Sequence, residues 1–282
     1  MSIIEDIKRR YITGNIVEKL ILINIGVFLL TIIAGLFNNY PGEINFIANW
    51  FALDDNLDGL FAKPWAIISY GFLHAGFIHI LFNCIALYFI GNLFTQYFTQ
   101  KQLLNFYLLG TLFGGIIYIF SQGFFPLFSG KTSYLVGASA GISAIFIGIA
   151  TYIPNYELKI RFIGYVKMWQ LAAVWIGLDI IGLVGANAGG NFAHLGGALF
   201  GFIYVNKASN KEINIFDKFI SLFKTKMKSP LKTVYKSKAK SNNTNTSLNQ
   251  QQVDRILDKI SKSGYETLSK AEKEFLFKQG RK

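Results

Sequence analysis

Long apolar stretches separated by short polar connections occupy most of the chain up to residue 206. A helix that crosses a bilayer needs about 20 consecutive, mostly apolar residues. Six stretches are of this kind, at residues 20–38, 73–95, 102–124, 137–153, 168–186 and 191–206. The fourth and sixth are short and rich in glycine, so their assignment depends partly on their neighbours. The pattern predicts an all-α membrane protein in which residues 20–206 form a bundle of six transmembrane helices.

Three polar segments flank this bundle. Residues 1–19 lack the early apolar core and the small-residue cleavage site of a secretory signal, so we expect the first span to be an uncleaved anchor. Residues 207–250 form a basic juxtamembrane segment and a polar linker. Residues 251–282 contain two short amphipathic patterns, the second preceded by a Ser269–Glu272 capping box, and they predict a small cytoplasmic helical hairpin.

The basic segment after the last span has a helical pattern of its own. Within "INIFDKFISLFKTKMK" the apolar residues recur at helical spacing among lysines, at Ile213, Phe216, Phe219, Ile220 and Phe223. This pattern favours a helix that lies on an anionic cytoplasmic leaflet, with an ordinary soluble amphipathic helix as the alternative. We therefore expect the lipid bilayer, and not a nucleic acid, to be the partner of these lysines.

Composition agrees with a membrane protein. Of 282 residues, 52% are hydrophobic and 16% are charged, whereas a soluble domain has about 25% charged residues. The net charge of +12 is concentrated at residues 207–240, where ten lysines and two acidic residues give +8. The single cysteine, Cys84, excludes an internal disulfide framework and a thiolate metal cluster.

The distribution of lysine and arginine predicts the orientation in the membrane. Basic residues precede the first span and occupy the second and fourth connections and the tail. The first connection, residues 39–64, carries four acidic residues against Lys63. The positive-inside rule then places both termini in the cytoplasm and the first, third and fifth connections outside. Trp50, Phe51 and Trp65 indicate that the first connection lies in the outer leaflet at the level of the headgroups.

All three histidines of the chain, His74, His79 and His194, fall within predicted spans. Polar or ionisable residues are costly inside a membrane, so each of them is a functional candidate. His79 and Asn83 are four residues apart and share one helical face, whereas His74 points elsewhere. The predicted orientation places four candidates in the outer half of the membrane: Ser139, His194, His79 and Asn83.

Ser139 lies in a Gly-x-Ser-x-Gly pattern that begins at Gly137. His194 is followed by Gly197 and Gly201, which form a small-xxx-small pattern on nearly the same helical face. Small residues let transmembrane helices approach closely, so contact between the fourth and sixth spans would bring the His194 imidazole to the Ser139 hydroxyl. A histidine at that position can accept the serine proton and activate the hydroxyl as a nucleophile.

Further donors in the same region would complete an oxyanion hole. His79 and Asn83 would supply side-chain donors, and the first turn of the Ser139 helix has free backbone N–H groups. Each residue also has an ordinary structural alternative, because the two donors can tie helices together and His194 can pack beside the glycines. Asp179 is either a carboxylate that orients His194 or a helix-end carboxylate with another partner.

These motifs, in this order, resemble the rhomboid family of intramembrane serine proteases over about residues 15–206. The family patterns are matched by His74, His79 and Asn83 in the second span, by Gly137, Ala138 and Ser139 in the fourth, and by Ala193, His194, Gly197 and Gly201 in the sixth. The tail is similar to a cytoplasmic extension of some bacterial rhomboids. The resemblance therefore implies a six-helix rhomboid of bacterial type.

The same resemblance assigns roles to the candidate residues. It implies a Ser139–His194 catalytic dyad rather than a triad. His79, Asn83 and the Ser139 backbone N–H would hold the oxyanion, and His74 would stabilise the first loop. The fifth span and the cap loop after the third would admit substrate from the side.

Two positions depart from the family pattern. Ala66 follows Trp65, where the family often has arginine. Ser143 stands where several bacterial members carry an aromatic residue that packs on the catalytic histidine. Neither change removes a catalytic group, but another residue must then fix the His194 ring.

The sequence thus predicts a serine endopeptidase that cleaves transmembrane protein substrates near the outer membrane boundary. No cofactor is implied, and no metal, because the chain has no His-Glu-x-x-His motif and no acidic cluster for zinc. Two other classes stay open, namely a catalytically inactive rhomboid-like protein that escorts membrane clients and a small transporter or channel. Composition and short loops favour a bacterial inner membrane.

Overall fold

The computed structural model describes residues 5, 8–9, 12–37, 45–128, 132–207 and 244–279. The chain divides into two compact units, residues 1–223 and 224–282. The interfacial helix predicted around residues 213–223, with the rest of the basic segment that follows Lys207, lies outside the described residues.

Six longer helices form most of the described part of the first unit, and each overlaps one predicted span. They are α1 (Ile16–Gly35), α2 (Phe77–Phe94), α3 (Gln100–Phe124), α4 (Ser139–Tyr152), α5 (Met168–Gly182) and α6 (Ala188–Lys207). By length and composition, α1, α2 and α3 can cross a bilayer, and α4 and α5 are shorter apolar helices. The crossing of the bilayer by all six helices and the cytoplasmic position of both termini stay predictions.

The start of α2 differs from the predicted span, which begins at residue 73. A 3-10 turn at Tyr70–Phe72 comes first, and Gly76 is then fully extended, with φ of −179°. The helix begins only at Phe77, so His74 lies in the segment before the helix and not within it.

Small residues bring α3, α4 and α6 close together. A Cβ on Gly197 of α6 would collide with the carbonyl oxygen of Ala140 on α4. Further along, a Cβ on Gly201 would collide with the carbonyl oxygen of Ala144. On α3, a Cβ on Gly114 would lie 2.6 Å from the Ala140 Cβ. The backbones of α3, α4 and α6 can pack this closely only because Gly114, Gly197 and Gly201 carry no side chain.

Within the described ranges, four short strands accompany the helices, so this part of the chain is mostly rather than wholly helical. β1 (Leu53–Asp54) pairs antiparallel with β2 (Tyr134–Leu135), and β3 (Glu157–Ile160) pairs antiparallel with β4 (Gly164–Lys167). The second pair is a hairpin that connects α4 to α5. Runs of two to four residues are too short to show the alternation that predicts a strand.

The β1–β2 pair ties the first connection to the start of α4. Beside this pair, the Asp55 carboxylate accepts a hydrogen bond of 2.5 Å from the backbone N–H of Ser133. The backbone N–H of Gly137 donates to the Tyr70 carbonyl at 3.0 Å. Hydrogen bonds from backbone N–H groups on both sides of β2 therefore position the chain where it enters the Ser139 helix.

The first connection also contains short helices and exposed aromatic rings. Its helices span Phe46–Phe51, Leu57–Ala62 and Ala66–Ser69. The Trp50 and Trp65 rings stack with centroids 6.0 Å apart, and the Trp65 indole N–H donates to the Trp50 carbonyl. Ala66 is buried at the start of the third short helix, so the position that departs from the family pattern has a packing role here.

The described part of the second unit consists of α7 (Thr244–Ser263) and α8 (Lys270–Gln279). α7 begins within the predicted linker, because that part of the linker has no glycine or proline to stop a helix. The Ser269 backbone N–H donates to the Glu272 carboxylate at 2.8 Å, and the Glu272 backbone N–H donates to the Ser269 hydroxyl at 3.3 Å, as in the predicted capping box. The bond from the Ser269 backbone, followed by that from the Lys259 ammonium, lowers the pKa of Glu272 to about 2.

Candidate active site

Ser139 and His194 are in hydrogen-bond contact, with His194 Nε2 2.6 Å from Ser139 Oγ. Ser139 is the first residue of α4, and His194 lies in the second turn of α6. The contact depends on the glycine packing, because Gly197, three residues after His194, lies against Ala140, the neighbour of Ser139. Two separate helices thus present a hydroxyl and an imidazole to each other at the same end of the bundle.

A third polar residue contacts the other side of the imidazole. Asp179 of α5 places Oδ1 2.7 Å from His194 Nδ1. The Asp179 side chain is only 8% exposed, and its Oδ2 has no hydrogen-bond partner among the residues that the structure describes. Of the two alternatives for Asp179, the structure therefore contains the carboxylate that contacts His194. The resemblance implied a pair of residues, whereas the hydrogen-bonded series has three members.

Ser143 has a partner of its own on α5. The Trp175 indole N–H donates to the fully buried Ser143 hydroxyl at 3.1 Å. Ser143 thus serves in packing between helices, and it does not support the His194 ring. That support comes from Asp179, one turn after Trp175 on the same face of α5. The four-residue spacing of Trp175 and Asp179 is the signal in the sequence that marks this face.

The His79 ring lies beside Ser139. Gly137 has a φ of +135°, and a Cβ there would lie 2.9 Å from His79 Nε2 and 3.4 Å from Ser139 Oγ. Glycine at this position therefore provides both the backbone conformation and the space for the His79 ring. The Ala75 backbone N–H donates to His79 Nδ1 at 3.4 Å, which places the hydrogen of a neutral ring on Nε2. That nitrogen lies on the side of the ring next to Gly137.

Asn83 and His74 differ in their relation to the site. The Asn83 amide donates to the His79 carbonyl at 2.8 Å, and Asn83 lines the same cavity as Ser139. His74 packs its ring edge-on against His79, with centroids 5.1 Å apart. Neither ring nitrogen of His74 has a hydrogen-bond partner within the described ranges. His74 shares a cavity with Asn45 of the first connection, the loop that the resemblance links to it.

Ser139, His194, His79 and Asn83 line one cavity of about 260 Å³. Its polar lining consists of His79, Asn83, Ser139, Asn187 and His194, and its apolar lining includes Phe82, Ile142 and Trp175. A neighbouring cavity of about 570 Å³ shares His79, Asn187 and Gly190 with it and reaches the chain on both sides of β2. In the described part of the chain, no three His, Cys, Asp or Glu side chains group as metal ligands.

The sequence matches the Rhomboid domain over residues 62–211, just over half of the chain. The chain belongs to the rhomboid family. The matched region of this rhomboid contains every site residue described above, from His74 to Gly201. A second match, to a family of unknown function (DUF6576), covers residues 240–279 and with them both helices of the second unit.

Relatives of this rhomboid are found in plants and animals. It is 29% identical over 195 residues to RHOMBOID-like protein 12, mitochondrial, of Arabidopsis thaliana, which covers 65% of this chain and 55% of that protein. It is 31% identical over 137 residues to Presenilin-associated rhomboid-like protein A, mitochondrial, of Danio rerio, which covers 48% of this chain and 35% of that protein. It is 28% identical over 174 residues to Rhomboid-related protein 1 of Caenorhabditis elegans, which covers 57% of this chain and 46% of that protein.

The chain thus spans about half, or less, of the length of these curated relatives. Family membership and the apolar helices identify an integral membrane protein. Two of the relatives are named as mitochondrial, and none of the three supports the predicted bacterial type or the bacterial inner membrane.

Proposed function

We propose that this rhomboid is an intramembrane serine endopeptidase that cleaves transmembrane proteins near the outer membrane boundary. The observation that carries the proposal is the 2.6 Å contact between His194 Nε2 and Ser139 Oγ at the wall of a cavity. A serine hydroxyl becomes an effective nucleophile when a base lies within about 2.6–3.2 Å to accept its proton. Membership of the rhomboid family supports the same class of reaction.

In the proposed reaction, His194 Nε2 accepts the Ser139 proton while Oγ bonds to the carbonyl carbon of the scissile peptide. The tetrahedral intermediate carries a negative charge on the former carbonyl oxygen. Its collapse breaks the C–N bond, and the His194 imidazolium gives the proton to the leaving amine. Water then attacks the acyl-enzyme with His194 again as the base, which releases the new carboxyl group and restores Ser139.

Three donors are proposed to hold the oxyanion. The Ser139 backbone N–H has no partner inside α4 because Ser139 begins that helix, and the helix N-terminus favours negative charge. The other donors are the Nε2–H of His79 and the second amide N–H of Asn83. The contact of Ala75 with His79 Nδ1 supports this assignment, since it leaves the hydrogen on Nε2, the nitrogen next to Gly137.

The proposed substrate is the transmembrane helix of another protein. The predicted topology, with six spans and both termini in the cytoplasm, places Ser139 in the outer half of the membrane. Entry would be lateral, past α5 and the loop that follows α3. In lipid, the backbone N–H and C=O groups of a transmembrane helix bond to one another. The substrate helix must therefore unwind locally before Ser139 can reach the carbonyl of the bond to be cut. Small or helix-breaking residues near the outer end of the substrate helix are the expected preference.

The test is cleavage of a model transmembrane substrate by the purified full chain in detergent. Ser139→Ala and His194→Ala should remain folded and lose cleavage. Ser143→Ala is the matched control, because the Ser143 hydroxyl contacts Trp175 and not His194: loosening α5 lowers its rate in part, but unlike Ser139→Ala it should still cleave. A serine-reactive fluorophosphonate should label the wild type and Ser143→Ala but not Ser139→Ala.

Cleavage that survives in Ser139→Ala or in His194→Ala would reject the proposed pair. Tight binding of the substrate by a wild type that does not cleave it would favour a protein that escorts membrane clients. Movement of a solute across proteoliposomes, without proteolysis, would favour a transporter or channel.

A further inference from the structure

Asp179 lies where an isolated carboxylate is costly. It belongs to the apolar helix α5, its side chain is only 8% exposed, and its contact with His194 Nδ1 is 2.7 Å. We infer that Asp179 is a positioning residue for His194, so that the site works as a Ser139–His194–Asp179 series. The inference rests on the proposed protease function and adds to it a residue that is not expected to touch the substrate.

The first effect of Asp179 concerns the position of one hydrogen. A neutral imidazole carries its hydrogen on either ring nitrogen. A carboxylate at Nδ1 keeps the hydrogen on that nitrogen, which leaves the Nε2 lone pair directed at Ser139 Oγ, 2.6 Å away. Without the carboxylate, the ring can carry its hydrogen on Nε2, and in that form His194 cannot accept the proton of Ser139.

The second effect concerns charge. His194 becomes a cation when it takes the serine proton, and its side chain is only 18% exposed. A carboxylate 2.7 Å away stabilises that cation, and the stabilisation is larger in a site with little water. Because Asp179 Oδ2 has no hydrogen-bond partner in the described part of the chain, no second donor there offsets the negative charge. A residue that only linked α5 to α6 by a hydrogen bond would not need an uncompensated negative charge beside His194.

Neighbouring contacts hold α5 in the register that this role requires. One turn before Asp179, the Trp175 indole N–H donates to Ser143 of α4 at 3.1 Å. The Trp175 ring also packs edge-on against Phe146, with centroids 5.2 Å apart. α5 is thus fixed to the serine helix beside the point where its carboxylate meets His194.

The experiment measures kcat and KM for the model transmembrane substrate with full-length wild type, Asp179→Asn, Asp179→Glu and Ile181→Ala. Asn has nearly the same shape without the charge, so kcat should fall about 10²–10⁴-fold. KM should change little, because Asp179 acts on His194 and not on the substrate. Asp179→Glu should recover part of the lost kcat. Ile181→Ala, at an exposed position of the same helix, should retain the wild-type kcat.

A second measurement uses the wild type and does not depend on the folding of a variant. The chain has three histidines, so ¹⁵N-histidine labelling gives a spectrum simple enough to assign. His194 should show a far-downfield proton on Nδ1, as expected for an imidazole bonded to a carboxylate.

An unchanged kcat in Asp179→Asn, a loss that lies in KM, a Glu variant no better than Asn, or a His194 hydrogen on Nε2 would each overturn the inference. Wild-type protein that cleaves nothing would instead overturn the proposed function. The Nδ1 proton would still report the Asp179–His194 contact in that case, so the two failures can be told apart.

Discussion

Gly114 of α3 stands behind both members of the proposed catalytic pair. A Cβ at this position would lie 2.6 Å from the Ala140 Cβ and 2.7 Å from the Ala193 carbonyl oxygen. Ala140 follows Ser139, and Ala193 precedes His194. Carbon atoms in contact are normally about 3.5–4.0 Å apart, so the added methyl group would be about 1 Å too close to α4 and comparably close to α6.

We therefore expect Gly114→Ala to displace α4 and α6 relative to each other by up to about 1 Å. Overpacking of this kind costs about 1–3 kcal/mol of stability. Lengthening the Ser139–His194 contact by about 1 Å would take it out of hydrogen-bonding range, and a misplacement of that size can reduce the rate about 10²-fold. Activity should thus fall much more than the fraction of folded protein.

The assay combines kcat/KM for the model transmembrane substrate with thermal unfolding in the same detergent. Gly123→Ala is the matched control, since Gly123 is in the same helix and an added Cβ there has no heavy atom within 4 Å. It should behave as wild type. Gly114→Ala that cleaves at the wild-type rate would refute the reasoning, because the three helices would then absorb a methyl group without moving the pair.

Other side chains should give smaller, separable effects. His79→Leu should lower kcat about 10²–10³-fold with little change in KM, and an unchanged kcat would exclude His79 from the oxyanion hole. Trp175→Phe leaves the buried Ser143 hydroxyl without its donor and should lower stability by about 1 kcal/mol, seen as a lower unfolding midpoint. Glu272→Ala should speed amide hydrogen exchange in α8, because it removes the acceptor of the Ser269 backbone N–H, whereas Glu274→Ala should not. The lowered pKa of Glu272 means that its ionised form stabilises α8. This stabilisation is complete when the pH is above the usual carboxyl pKa, and it is lost as the pH falls towards about 2. Equal exchange in the two variants would contradict the capping role.

α1, α2 and α3 could be predicted because a bilayer sets a minimum length for an apolar stretch, and these three helices are long and apolar enough to cross one. Their ends could not be predicted to the residue. α2 begins after Gly76, since an extended glycine and a preceding 3-10 turn delay the helix, and this leaves His74 outside it. The β1–β2 pair escaped prediction for another reason, because two residues on each strand carry no periodic signal.

The pairing of Ser139 with His194 could be predicted because Gly197 and Gly201 mark a face on which another helix can pack closely. The position of Asp179 could not. Its spacing from Trp175 defines a face of α5, but no residue pattern states how that face is rotated towards α6. The 2.7 Å contact with His194 follows from the tertiary packing of α5 on α4 and α6.

The short ladder between β1 and β2 matters for anyone who recombines rhomboid sequences. Its strands come from positions on either side of α2 and α3, at residues 53–54 and 134–135, and the second lies four residues before the serine. A hybrid that exchanged the first connection alone would put mismatched partners into this ladder and disturb the approach to Ser139. The two segments should therefore be transplanted as a single cassette, and substitutions at them should co-vary among natural homologues.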